Sequence, residues 1–274
     1  MQQPMEDNFA DVVSKAQRGL GLSDSELATR AGISREQLAD IKAEAFDAGI
    51  LRLVAPVLHL DAAALAALPE YRPAPIAVPG LEAFTTRYGG MRVNAYVVYD
   101  QASGKAAAFD TGADATPILD FLRTRSLSLF GVFLTHTHGD HVGDLENLTR
   151  STGAAAWVSD REPMHGARGF EDGRGFECGA LRIETLLTCG HTRGGTSYAV
   201  YGLERPVVVV GDAIFAGSMG GAMVSYADAL RTNRENLLTL PAKTVICPGH
   251  GPLTTVAEER AHNPFFAMGG GPDE

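Results

Sequence analysis

The spacing of apolar residues divides the chain into two textures. Between residues 8 and 70, Ala, Leu and Ile recur every three or four positions, and no proline falls between Pro4 and Pro56. That is the period of amphipathic helices. Ser23 stands three residues before Glu26, and Ser34 three before Gln37. Both pairs read as capping boxes. Pro69, Pro73, Pro75 and Pro79 then mark a stiff linker. From residue 83 the texture changes to short apolar runs separated by glycine-containing loops. Strands are predicted at 91–99, 106–109, 127–134, 154–158, 181–187, 197–201, 207–210 and 244–247. Helices are predicted at 116–125, 142–152, 227–240 and 256–263. Strands dominate first and helices intersperse later, which suggests α+β layering with helices covering sheets. The expected division is a helical subdomain at 1–72, a Pro-rich linker at 73–82, and a larger domain at 83–274.

Residues 22–53 resemble a repressor-type helix-turn-helix through Glu26-Leu27-Ala28-Thr29-Arg30-Ala31-Gly32-Ile33-Ser34, with Ala and Gly at the tight turn. The segment that would read a DNA groove, residues 35–48, carries Glu36, Asp40, Glu44 and Asp47 against Arg35 and Lys42. A groove-reading helix needs the opposite balance. The region is therefore expected to pack on the larger domain or to pair two subunits in a homodimer.

Charge and cysteine usage narrow the class. The formal net charge is -10 over 274 residues, which repels phosphate backbones and anionic membranes. The expected partner is a small-molecule substrate, with no nucleic acid and no membrane. The chain opens without a basic segment or an apolar run, and its longest apolar strings, such as 207–210, are strand-sized. Cys178, Cys189 and Cys247 make neither a disulfide framework nor a Cys-x-x-Cys motif, which fits a cytoplasmic protein.

The strongest chemical signal is Thr135-His136-Thr137-His138-Gly139-Asp140-His141 at the end of an apolar strand. Four potential ligands within six residues are hard to explain as packing, because buried imidazoles need partners and a buried carboxylate needs a cation. A divalent metal satisfies both, and this donor set suits zinc, iron or manganese. Further motifs follow in order: Asp110-Thr111-Gly112 upstream, then Gly190-His191-Thr192 with Gly195-Thr196-Ser197-Tyr198, Gly211-Asp212, and Pro248-Gly249-His250-Gly251. With these motifs in this order, residues 83–266 resemble the metallo-β-lactamase-fold superfamily, and within it the short glyoxalase II-like (hydroxyacylglutathione hydrolase-like) members. The resemblance implies a four-layer αββα sandwich, here with a small N-terminal all-helical subdomain. It implies His136, His138 and His191 on one metal, Asp140, His141 and His250 on a second, and Asp212 bridging the two. Asp110 would orient ligands without binding metal. The cofactors implied are two divalent ions, zinc first, with iron or manganese as alternatives.

The implied activity is hydrolysis of a thioester or ester carbonyl by a hydroxide between the metals, with Asp140 and Asp212 as the catalytic carboxylates. The helical region that grips glutathione in full-length members is not expected after His250, which leaves the thioester itself open. The rival activities are a lactonase, a persulfide dioxygenase with a single iron, and a regulator that uses the metal domain as a sensor. Asp212 stands where many zinc β-lactamases of the fold carry a ligand cysteine, which argues against that subgroup. Of the other histidines, His59 and His262 read as structural, and His165 lies in a loop near the expected site. Cys189 and Cys247, beside motif histidines, read as small residues at strand ends.

Overall fold

The computed structural model describes residues 3–267; the Gly-rich tail at 268–274 lies outside the described residues. The chain opens with helices Phe9–Gly19 (α1), Asp24–Ala31 (α2), Arg35–Lys42 (α3), Ala48–Val57 (α4) and Ala62–Ala67 (α5). Both expected capping boxes form, and a third joins Asn8 to Asp11. Gly32 ends α2 with φ 67°, a left-handed geometry that glycine adopts without a Cβ penalty. The helix expected over 35–48 stops at Lys42. Asp47 instead caps α4, accepting from the backbone N–H of Gly49 and Ile50.

The chain continues as β1 (Leu81–Tyr88), β2 (Met91–Asp100), β3 (Lys105–Phe109), α6 (Thr116–Thr124), β4 (Ser128–Phe133), α7 (Gly139–Val142) and α8 (Leu145–Thr152). Then come β5 (Ala155–Ser159), β6 (Ala167–Phe170), β7 (Gly175–Cys178), β8 (Leu181–Leu187), β9 (Thr196–Tyr201) and β10 (Val207–Gly211). Helix α9 (Tyr226–Thr232) runs into a π-turn at Asn233–Leu237, followed by β11 (Val245–Pro248), β12 (Thr254–Thr255) and α10 (Val256–His262). One sheet has the order β1-β2-β3-β4-β5-β6 and the other β12-β11-β10-β9-β8-β7.

The central strands β2, β3, β9, β10 and β11 are buried on two faces, and alternation assigns each side chain to a layer. Tyr96, Val98, Phe109, Phe133, Tyr198, Val207 and Val209 fill the space between the sheets. Ala95, Val97, Ala108, Val132 and Leu134 point the other way, against Ile118 and Leu122 of α6 and Leu148 of α8. Val208, Val210 and Ile246 face outward from the second sheet. There they share one core with Val12 and Val13 of α1, Leu27 of α2, Leu51 and Val54 of α4, and Phe265. The result is helix, sheet, sheet, helix, with the N-terminal helices forming part of one outer layer.

Three sequence expectations need correction. Strand β1 begins at Leu81, inside the segment read as linker. It is an edge strand with mostly exposed or half-buried residues, so it shows no apolar alternation. Strands β6, β7 and β12 were not anticipated. They are short, and all three lie at sheet edges. The helix expected over 142–152 is broken at Gly143 and Asp144. The Asp144 carboxylate turns aside to accept from the Ala115 backbone N–H at 2.9 Å.

Candidate metal centre

The ligand-type residues collect where strands end along one rim of the sandwich. His136 to His141 follow β4, His191 lies between β8 and β9, Asp212 follows β10, and His250 follows β11. A register shift between Val209 and Gly211 in the β10–β11 pairing re-aims the chain as it delivers Asp212.

All seven residues named from the sequence as metal ligands come together. Their ligand atoms form three overlapping groups, each with every member within 4.8 Å of the others: His136, His138 and His191; His136, His141 and Asp212; Asp140, His141 and His250. His138 Nδ1 lies 3.0 Å from His191 Nε2. Asp212 reaches both halves, with Oδ1 3.3 Å from His141 Nε2 and Oδ2 3.5 Å from His191 Nε2. Asp140 Oδ2 lies 3.3 Å from His250 Nε2.

The hydrogen bonds behind the rings decide which nitrogen faces inward. His191 Nδ1 donates to the Gly221 carbonyl and His250 Nδ1 to the Arg92 carbonyl, each at 2.6 Å. A carbonyl can only accept, so Nδ1 carries hydrogen in both rings and Nε2 is left for a ligand role. His141 Nδ1 donates to Asp110 Oδ2 at 2.7 Å. The Thr135 hydroxyl donates to the same oxygen at 2.7 Å and accepts from His136 Nδ1 at 3.0 Å. Asp110, buried and with φ 57°, therefore sets the inner rings without joining any ligand group.

Three inward atoms have no hydrogen-bond partner although they are buried: His136 Nε2, His141 Nε2 and Asp212 Oδ1. The last two lie 3.3 Å apart without forming a hydrogen bond. Unsatisfied buried polar atoms are costly, and a cation answers all three at once. The backbone leaves room for such crowding at Gly249. A Cβ there would lie 2.5 Å from His141 Cε1 and closer still to Asp212 Oδ1.

The electrostatics are those of a site built for positive charge. Burial raises the pKa of the Asp212 carboxyl, but the surrounding His141, His250 and His136 rings outweigh it and hold the group well below the carboxylate range. Burial lowers His141, yet Asp212 and Asp110 bring it up to about 10. His250 follows the same pattern, reaching about 11 beside Asp140 and Asp212. His136 and His191 lie below their usual value, chiefly through burial.

The other residues weighed from the sequence stand apart from these groups. His165 is exposed, beside a groove lined by Val142, Asp144, Arg150 and Met164. His262 stacks on Tyr71 with 5.0 Å between ring centroids, and His59 sits in a turn with φ 55°. Cys178 and Cys247 are buried, Cys189 is half-buried, and all three are free. One contributor had no sequence signal. Glu162 Oε1 accepts from the Thr137 backbone N–H and hydroxyl, both at 2.8 Å, and its Oε2 accepts from Gly194 N–H at 3.0 Å. It thereby ties the first histidine loop to the His191 loop.

Known proteins are similar to the chain over this region. A family model described as the metallo-beta-lactamase superfamily matches residues 88–250. The "Probable metallo-hydrolase YqgX" of Bacillus subtilis (strain 168) is 29% identical over 202 residues, covering 65% of this chain and 94% of its own length. Hydroxyacylglutathione hydrolase of Roseobacter denitrificans is 30% identical over 178 residues, covering 64% of this chain and 66% of its own. Among solved structures, TTHA1623 in a di-iron-bound form superposes with a TM-score of 0.56 at 26% identity, covering 66% of this chain and 99% of that one. The matched span covers more than half of the sequence and carries the whole histidine–aspartate cluster, and the chain belongs to the metallo-beta-lactamase superfamily.

Proposed function

We propose that the chain is a dinuclear metallo-hydrolase acting on a thioester or ester carbonyl, in the manner of hydroxyacylglutathione hydrolases. The observation that carries this reading is the set of unpartnered buried atoms, His136 Nε2, His141 Nε2 and Asp212 Oδ1, at the junction of two ligand groups. His136, His138 and His191 would hold one divalent ion, Asp140, His141 and His250 a second, and Asp212 both. Two such ions supply Lewis acidity and a hydroxide nucleophile at neutral pH. The donor set of imidazoles and carboxylates accepts zinc, iron or manganese.

The chain's own groups then have defined tasks. Asp110 and Thr135 hold the His141 and His136 rings in the tautomer that turns Nε2 inward. Asp212 spans the two halves and fixes their separation. Asp140, beside His250, takes the proton released during attack and returns it to the leaving group. The similarity to a hydroxyacylglutathione hydrolase and to a di-iron-bound structure supports this class. The completeness of the second group, Asp140, His141 and His250, favours two ions over the single iron of a dioxygenase. In the same reading the N-terminal helices serve as a cover for the second sheet and not as a DNA reader. Lys42, one of the few cations of α3, is already paired with Asp24.

The test is elemental analysis of untagged protein together with hydrolysis of S-D-lactoylglutathione by the same sample. Close to two metals per chain with thioester cleavage is the expected result. Two metals without cleavage moves the substrate to lactones or other thioesters. One iron per chain, or no metal under replete conditions, overturns the dinuclear reading. Asp212→Ala should lose metal and nearly all hydrolysis while keeping its fold by circular dichroism.

A further inference from the structure

The loop that follows Asp212 is gripped by a buried ion pair from the N-terminal region. The Lys15 ammonium on α1 pairs with the Asp7 carboxylate, and the two side chains are only 14% and 9% exposed. Asp7 Oδ2 also accepts from the Ser218 hydroxyl at 2.6 Å, and Lys15 Nζ donates to the Met219 carbonyl at 2.7 Å. The same ammonium lies 5.1 Å from the centroid of the Phe215 ring. Phe215 in turn meets the His250 ring edge-on, with centroids 5.7 Å apart. Residues 215 and 218 form a tight backbone bridge, Phe215 N–H to Ser218 O at 3.0 Å and Ser218 N–H to Phe215 O at 3.1 Å. Whatever holds Ser218 and Met219 therefore also sets Phe215. The segment before α1 rests on the other ligand loop as well, since a Cβ at Gly251 would meet Glu6 N at 3.2 Å.

Taking a lysine and an aspartate out of water is costly, and apolar residues of similar volume would serve stability as well or better. Ion pairs in such places are best attested as devices that fix one geometry. We propose that Asp7 and Lys15 are positioning residues for the metal centre, holding the 213–219 loop so that Phe215 braces His250 and the second ion keeps its site. This rests on the dinuclear reading above. It assigns the N-terminal helical region a part in the chemistry that the sequence did not suggest, and it places that part on the side of the centre formed by Asp140, His141 and His250.

The experiment is a zinc titration of metal-stripped full-length protein against a chromophoric chelator, with the melting temperature of the metal-free chain measured alongside. In Lys15→Met the second zinc equivalent should bind about tenfold more weakly, the lower end of the effect seen for residues that orient ligands. The first equivalent should be unchanged. Lys15→Arg keeps the charge and should recover most of the loss. Unchanged affinities for both equivalents in Lys15→Met overturn the proposal. So does a uniform weakening of both that tracks the metal-free melting temperature, the mark of general loosening. If Lys15→Met does not fold, Ser218→Ala, which removes only the hydroxyl that Asp7 accepts from, decides by the same criteria. A wild-type chain that binds fewer than two zinc ions defeats the dinuclear reading and this proposal together. Two tight zinc ions in wild type with no change in the variants defeats this proposal alone.

Discussion

Replacing Gly249 by alanine isolates steric order at the centre. The added Cβ would lie 2.5 Å from His141 Cε1 and 3.1 Å from His141 Nε2, and nearer still to Asp212 Oδ1. Carbon contacts settle at about 3.5–4.0 Å, so the overlap is about 1 Å. The backbone cannot retreat to relieve it. Gly249 N–H donates to Gly211 O at 2.8 Å, and Asn94 N–H donates to Gly249 O at 2.7 Å, which pins the peptide from both sides. Residue 249 does not have the positive φ that other glycines here show, so alanine brings crowding and no backbone strain. The side chains must therefore give way, and both are proposed ligands. A displacement of about 1 Å in a reacting constellation costs roughly a hundredfold in rate, or about 2.7 kcal/mol of barrier. The assay is kcat/KM for thioester hydrolysis with metal content on the same preparation. The metal-free chain should lose about 1–3 kcal/mol in urea unfolding, as expected of an overpacked site. Full metal occupancy with kcat/KM within threefold of wild type would refute the argument, because it would mean that His141 and Asp212 need not sit where they do.

Other consequences are open to direct measurement. His141 and His250, with pKa values of about 10 and 11, both carry a proton in the metal-free chain at pH 7. An imidazole must be neutral to ligate a metal, so zinc binding should release about two protons per chain, measured by calorimetry in buffers of different ionisation enthalpy, and affinity should rise with pH; release near zero contradicts this. Glu162→Ala should weaken metal binding about 10–100-fold by freeing the Thr137 and Gly194 loops, and a chelator titration indistinguishable from wild type would remove Glu162 from the site. Glu259 is buried, and burial brings its carboxyl up to about 7 despite hydrogen bonds from Thr254, Asn263, Gly217 and Tyr71. The folded chain then binds more protons than the unfolded one between pH 4.5 and 7, so this group's contribution to stability falls as pH rises through that window, by up to about 3 kcal/mol. Glu259→Gln should flatten the dependence in urea unfolding, and parallel pH profiles for the two chains would show that the group does not carry it.

The sequence revealed the centre better than its frame. His136 to His141, His191, Asp212 and His250 each stand in a short motif after an apolar run. The sheet delivers strand ends to one rim, so local motifs suffice to locate the proposed ligands. Strand β1 escaped because an edge strand such as Leu81–Tyr88 need bury little, and without burial there is no alternation to read. The break before α8 escaped because it depends on Asp144 finding the backbone of Ala115, a contact between segments about 30 residues apart. Glu162, Asp7 and Lys15 escaped for the same reason. Nothing local distinguishes a carboxylate that bridges two loops from one in water, and only the folded chain brings Glu162 to Thr137 and Gly194.

The shared core of the N-terminal helices and the second sheet also bears on the order in which the molecule can be built. Val12, Leu27 and Val54 lie near the start of the chain, yet they are buried with Val208, Val210, Ile246 and Phe265. At synthesis rates of about 5–20 residues per second, those partners leave the ribosome on the order of ten seconds or more after the helices do. For that interval the first helices can form but cannot bury their apolar faces natively. Closing contacts over such separations is intrinsically slow, so these helices, made well before their partners, are among the last elements to reach their final packing.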